Sequence, residues 1–240
     1  MSEPSSSASA ECSRCLKPRA LCVCAEIAPI RNRTAVLILQ HPQEQDRALG
    51  TARLASLQLS NAVLKIGLSW PSLSAALGRP ADPKRWAVVY LGSAEPAELA
   101  RGRDVLVLDR AGKPVAEQDA ALKGIEGLVL LDGTWSQAKT LWWRNPWVLK
   151  AKRIVLNPSR PSRYGLIRRE PRRDSLSTLE AAGMALARIE RKPEIESELA
   201  ATFERMLERA RSIALDAEGG NDRRSRQSRD RRRARRGRRP

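Results

Sequence analysis

At 240 residues the chain suits one well-packed α/β domain with appendages, and its formal charge of +17 points to a polyanion as partner, most often nucleic acid. No apolar run approaches the roughly 18 residues that a membrane span needs, and the first residues, MSEPSSSASAEC, offer neither the basic start nor the apolar core of a signal peptide. A cytoplasmic protein with no membrane contact is the expectation, and nothing in the sequence indicates a protein partner.

Residues 1–11 are rich in Ser, Ala and Pro and are expected to be disordered. Cys12, Cys15, Cys22 and Cys24 follow, the only cysteines in the chain. Two close pairs in one short loop, 12–30, can close a tetrahedral four-sulfur zinc site, and Arg14, Lys17 and Arg19 help to keep the sulfurs deprotonated. Disulfides are the rival, but a chain without a secretion signal gives them little support. With all four positions filled by sulfur, the metal's role is structural rather than catalytic.

The main α/β domain is expected over 31–216. Thr34 to Gln40, TAVLILQ, reads as a strand that exits into His41, Pro42, Gln43 and Glu44. His41 is the only histidine, either a site residue or an ordinary polar one. Gln45 to Leu59 has near-helical apolar spacing and predicts a helix covering the sheet. Strands are expected at Val63 to Leu68, Trp86 to Leu91, Val105 to Leu108 and Arg153 to Leu156, several ending in polar groups such as Gly92 and Asp109. A series of such exits predicts a mostly parallel sheet with one functional edge. No G-x-G-x-x-G follows a strand and no G-x-x-x-x-G-K-[ST] occurs, so the ordinary dinucleotide and ATP sites find no support.

The stretch of greatest interest is Gly127 to Leu141, GLVLLDGTWSQAKTL. An apolar strand stops at Asp132, and a Gly-Thr-Trp turn opens a helix. Ligands of open α/β sheets bind beyond the carboxyl ends of strands, which makes Asp132 a site candidate. Thr134 and Gln137 also have the spacing of a capping box, so Asp132 can equally serve the helix end. Four of the six tryptophans lie between Trp135 and Trp147. Trp135 and Trp142 share a helical face that suits the core, whereas Trp143 and Trp147 flank Arg144 and can stack unpaired bases.

Residues 150–173 carry nine Lys and Arg against one Glu, and residues 221–240 eleven Arg against two Asp; these two segments hold the whole charge excess. In the first, Arg160, Arg163, Arg168, Arg169, Arg172 and Arg173 suit the phosphates of a folded RNA, because guanidinium forks match phosphate geometry. A capping box at Ser177 and Glu180 then opens a further helix, and Glu194 to Leu215 predicts a last one. The basic end, 217–240, is expected to be disordered, either attracting RNA loosely or merely solvating the chain.

The Asp132, Thr134, Trp135 core with Gln137, Ala138 and Lys139 resembles the signature of the DTW-domain family, the tRNA-uridine aminocarboxypropyltransferases. Gly133 occupies a position that the family leaves variable. The four-cysteine loop, the His41-Pro42 turn with Glu44, and Ser177, Thr178, Glu180 and Ala181 after an Arg-rich stretch resemble the family in the same order. The resemblance implies a SPOUT-related α/β fold that can carry a carboxy-terminal knot. It also implies transfer of the 3-amino-3-carboxypropyl group of S-adenosylmethionine to N3 of a tRNA uridine. Asp132 is then the base or the group that orients the uracil. Backbone groups around Gly92, Asp109 and Leu176 to Thr178 are candidates for holding the cofactor, with Thr134, Trp135, Ser177 and Glu180 of the two motifs. Two other classes fit less of the chain: a SPOUT-type RNA methyltransferase, and a non-catalytic zinc-containing RNA-binding protein, which leaves the Asp-Gly-Thr-Trp turn without a job.

Removal of residues 221–240 is expected to weaken tRNA binding and flatten its salt dependence, because each lost phosphate contact reduces the counterion release that accompanies binding. Binding measured across a salt series checks this; an unchanged slope assigns the end a solvating role only.

Overall fold

The computed structural model describes residues 11–89, 103–109, 111–164 and 176–236. Six strands share one sheet: β1 (Ala35–Gln40), β2 (Ala62–Ile66), β3 (Trp86–Val89), β4 (Val105–Leu108), β5 (Gly127–Asp132) and β6 (Lys152–Leu156). Their order is β2-β1-β5-β3-β6-β4. All neighbours are parallel except β4, which runs antiparallel to β6 at one edge. The helices among the described residues are α1 (Ala52–Gln58), α2 (Leu73–Leu77), α3 (Gln118–Lys123), α4 (Trp135–Arg144), α5 (Thr178–Glu190) and α6 (Pro193–Arg236). None is long and apolar enough to cross a membrane.

β1 and β5 are continuous apolar runs because both faces of the central sheet are covered. Val36 and Ile38 with Leu128 and Leu130 face a core shared with α1, α5 and α6. Ala35, Leu37 and Leu39 with Val129 face α2 and the Leu141 and Trp142 side of α4. The two-residue period of a strand thus sorts alternate side chains into two cores. Cys12, Cys15, Val23 and Cys24 belong to the first, so the cysteine loop is part of the main hydrophobic body rather than a satellite of it.

The expected strands are present, Val105 to Leu108 with the expected ends and the others with ends shifted by a residue or two, except that the expected end of β3 at Leu91 lies outside the described residues, and β4 corrects the expectation of one common exit. The helix expected over 45–59 is shorter and begins only at Ala52. The reason is a contact with a distant segment: the carbonyls of Ala48 and Gly50 accept bonds from the Lys17 ammonium, at 2.7 and 2.5 Å, and stand outside any helical ladder. At the carboxyl end the backbone is helical to Arg236, where disorder is expected from residue 217. Once α6 is nucleated by packing Ile195, Leu199, Phe203, Met206 and Leu207 into the core, each further residue extends it without a new nucleation cost, and Arg is a good helix former.

Gly127 lies in register with Trp86, and a Cβ built there would stand 2.3 Å from the indole. Gly127→Ala is therefore expected to destabilise the fold by about 1–3 kcal/mol through overpacking. Urea denaturation of the two proteins checks it, with a lower midpoint for the variant.

Candidate functional site

Where β1 and β5 end, two polar side chains stand side by side. The register pairs Gln40 with Asp132, and Gln40 donates through Nε2 to Oδ2 of Asp132 at 2.9 Å. The other oxygen, Oδ1, accepts from the Thr178 hydroxyl at the start of α5. The backbone carbonyl of Asp132 accepts from the His41 amide at 3.0 Å, which ties the exits of the two strands together. The carboxylate is half-buried and held by two neutral donors from opposite sides. Such an arrangement fixes the direction of its lone pairs without neutralising its charge. Gly133 allows it: a Cβ there would lie 2.8 Å from that of Gln137 and 3.5 Å from that of His41.

Two helix amino ends flank Asp132. α4 starts at a capping box in which the Thr134 amide donates to Gln137 Oε1 at 2.6 Å and the Gln137 amide to Thr134 Oγ1 at 3.4 Å. α5 starts at another, between Ser177 and Glu180. Both expected boxes are present, and the capping and site readings of this region are not alternatives. The Asp132 carboxylate itself accepts from two side chains, Gln40 and Thr178, rather than from a helix-end amide.

Glu180 is fully engaged. Its Oε2 accepts from the Ser177 amide at 2.9 Å and the Ser162 hydroxyl at 2.7 Å, and its Oε1 from the Arg163 amide at 2.8 Å. It therefore staples Ser162 and Arg163, within the expected Arg-rich segment, to Ser177 just beyond it. Tyr164 reinforces one end, donating to the Leu49 carbonyl at 2.8 Å and packing edge-on against Phe203.

Of the other expected site residues, Thr178 bonds to Asp132, Ser177 caps the helix that Thr178 opens, and Thr134 and Trp135 open α4 directly after Asp132. Asp109 does not. It follows the antiparallel edge strand, so it leaves at the opposite end of the sheet, where it accepts from the Lys113 amide in a tight turn. Gly92, Arg168, Arg169, Arg172 and Arg173 lie outside the described residues. Arg160 is exposed; Arg163 is exposed and 3.7 Å from Glu204. Trp147 is buried and donates to the Trp70 carbonyl, which removes it as a stacking surface, and Trp142 is buried under Arg153. Trp143 is 73% exposed on α4. His41 accepts through Nδ1 from the Gln43 amide at 3.3 Å beside the site. Sequence reasoning missed Gln40, although a lone amide ending an apolar strand was a signal. It also missed Thr51, whose hydroxyl accepts from the Leu179 amide at 3.4 Å.

The four cysteine sulfurs lie within 4.8 Å of one another. Sulfurs on one tetrahedral ion stand about 3.8 Å apart for metal–sulfur bonds of about 2.3 Å, so the cluster fits a single metal. Backbone amides of Cys15 and Arg14 pull the Cys12 thiol down to about 6, whereas burial pushes those of Cys15 and Cys24 up. Four thiolates in this space need a cation to coexist. Arg209 fixes the loop from outside, donating to the Cys22 carbonyl and pairing with Glu26, and within the loop Arg14 donates to the Cys24 carbonyl at 3.2 Å. Lys17 is buried beside it; burial lowers its ammonium to about 8, opposed by the negative charges of Cys15, Asp132 and Cys24.

The sequence pattern of the DTW domain matches residues 9–211. Three curated relatives bear the name tRNA-uridine aminocarboxypropyltransferase 2. That of Macaca fascicularis is 32% identical over 198 residues, 79% of this chain and 59% of the relative. That of Mus musculus is 30% identical over 194 residues, with the same coverage. That of Drosophila melanogaster is 32% identical over 201 residues, 79% of this chain and 70% of the relative. The chain thus spans about three fifths of the length of the two mammalian relatives. No solved structure matches it.

Purified under reducing conditions, the protein is expected to hold about one metal ion per chain. Metal analysis checks the stoichiometry. Sulfur ligates as thiolate, and Cys15 and Cys24 have raised thiol values, so protons compete for the site and the ion is expected to leave as the pH falls.

Proposed function

The chain belongs to the DTW-domain family, and from that premise we propose that it is a tRNA-uridine aminocarboxypropyltransferase. The substrate is a uridine of tRNA, the co-substrate S-adenosylmethionine and the by-product 5′-methylthioadenosine. The relatives' names support the reaction. One observation carries it on this chain: a single carboxylate, Asp132, held at the end of the central strand by Gln40 and Thr178 between two capped helix ends.

The chemistry is a displacement at carbon. The sulfonium of the co-substrate supplies the leaving group. The uracil N3–H loses its proton, a bond forms from N3 to the methionyl γ-carbon, and the carbon–sulfur electron pair stays on sulfur as a neutral thioether. Asp132 takes that proton or holds the imide in line; a carboxylate oriented by two donors suits either task. The amino ends of α4 and α5 favour an anionic group, so the Leu176 to Thr178 turn with Thr134 and Trp135 is the proposed seat of the co-substrate's carboxylate. Glu180 serves this seat as a staple, and Asp109 has no part in it.

RNA contact falls to the segment from Arg160 onward, whose described ends are stapled beside Asp132. Trp143 joins it, since an exposed indole next to Arg144 offers a base a stacking face. Zinc is the ion proposed for the four cysteines, as an all-sulfur tetrahedral set prefers it. Its role is structural. The mostly parallel sheet supports a SPOUT-related fold, of which a knot is a further, separate element of the proposal.

Mass spectrometry of tRNA nucleosides after incubation with the protein and S-adenosylmethionine tests the reaction. An added aminocarboxypropyl group with release of 5′-methylthioadenosine is expected; S-adenosylhomocysteine as product would make the protein a methyltransferase. Asp132→Asn is expected to keep the fold and the binding of both substrates while transfer falls about 10²-fold or more. A folded variant transferring at the wild-type rate would leave this carboxylate a structural role.

A further inference from the structure

Lys17 is neither a metal ligand nor a neighbour of Asp132 in sequence, yet it lies between the two sites. Its side chain is buried, and its ammonium donates to the carbonyls of Ala48 at 2.7 Å and Gly50 at 2.5 Å. A buried ammonium without partners is strongly disfavoured, so these two bonds fix where the 48–50 turn must lie. They also hold its carbonyls out of α1, which starts two residues later.

That turn supports the floor of the candidate site at two points. The carbonyl of Leu49 accepts from the Tyr164 hydroxyl, at one end of the stapled Arg-rich segment. Thr51, fully buried, accepts from the amide of Leu179. Leu179 follows Thr178, whose hydroxyl orients Asp132. At the other end Lys17 is fixed by its own loop: the Cys12 amide donates to the Lys17 carbonyl at 2.8 Å, and Cys15 stands two residues before it.

We propose that Lys17 is a positioning residue through which the four-cysteine loop sets the 48–51 turn, the first turn of α5, and with it the placement of Thr178 against Asp132. This rests on Asp132 being the reacting carboxylate. The cysteine loop then does more than close a local fold: it is one wall of the reaction site's scaffold. An error of about 1 Å in a reacting geometry can cost 10²-fold in rate, so a link of this kind has a measurable effect on turnover although Lys17 touches no substrate.

The test uses the full-length protein with its metal. Lys17→Met keeps an apolar stem and removes the donors, Lys17→Arg keeps charged donors on a bulkier, planar head, and Thr51→Val breaks the last link without touching a charge. Metal content, amide hydrogen exchange, and kcat and KM for tRNA are measured on each. Lys17→Met and Thr51→Val are expected to retain the metal, to exchange the Leu179 amide faster than wild type, and to lose kcat roughly 10- to 100-fold with KM for tRNA unchanged. Lys17→Arg is expected to recover part of both protection and kcat. Wild-type protection at Leu179 in Lys17→Met, a loss confined to KM, or metal loss in both Lys17 variants would overturn the proposal. If Lys17→Met does not fold, Thr51→Val decides it: wild-type kcat and protection there sink the link. If the wild-type protein modifies no uridine, the proposed function fails, while exchange at Leu179 still reports whether the link exists.

Discussion

The parallel pairing of β1 with β5 is the constraint on which the site depends. Its register carries five residue pairs of apolar sheet and then, at the sixth, sets Gln40 beside Asp132. A shift by one residue would exchange the two faces of each strand, sending Leu37 and Val129 into the wrong core and separating the amide from the carboxylate. Burial of both faces therefore fixes a chemical contact at the strand ends. The hydrophobic cores choose the register, and the register delivers the bond between Gln40 and Asp132.

Around that contact, residues that look like helix punctuation also build the site. Ser177 and Glu180 cap α5, an effect worth about 1 kcal/mol in general, but the same Glu180 carboxylate reaches Ser162 and the Arg163 amide. One side chain thus closes a helix end and gathers the two ends of a basic segment next to Asp132. Thr178, one residue inside the helix, bonds to Asp132 directly. In this chain, a member of the DTW-domain family, the Ser177 to Ala181 element and the Asp132 to Trp135 element lie far apart in sequence. Here they are two sides of one carboxylate's surroundings.

The cysteine loop shows the same economy. Its sulfurs are close enough for one ion, its apolar residues join the main core, and α6 holds it from outside through Arg209. Burial raises the thiols of Cys15 and Cys24, and only a cation among the sulfurs makes four thiolates compatible with that burial. Loop, carboxyl-terminal helix and the 48–51 turn are consequently one packed unit. The amino- and carboxyl-terminal parts of the domain meet behind the site rather than flanking it as appendages.

Composition, motif spacing and hydrophobic period were enough to give the α/β class, the existence of the strands, both capping boxes, the four-sulfur cluster and Asp132 at a strand end. These are local properties: a run of apolar residues, a Ser three residues before a Glu, two cysteine pairs in one loop. What the sequence could not show depends on contacts between distant segments. Asp109 and Asp132 both follow apolar strands, and only the antiparallel direction of β4 sends Asp109 to the other end of the sheet. Trp143 and Trp147 both flank Arg144, and only packing against Trp70 buries the second and leaves the first exposed. Glu180 has the spacing of a cap whether or not Ser162 lies beside it, and Lys17 reads as a charge near thiolates until the 48–50 carbonyls are folded against it. Strand direction, burial and long-range hydrogen bonds are settled by the fold as a whole, because each needs a partner that no local pattern names.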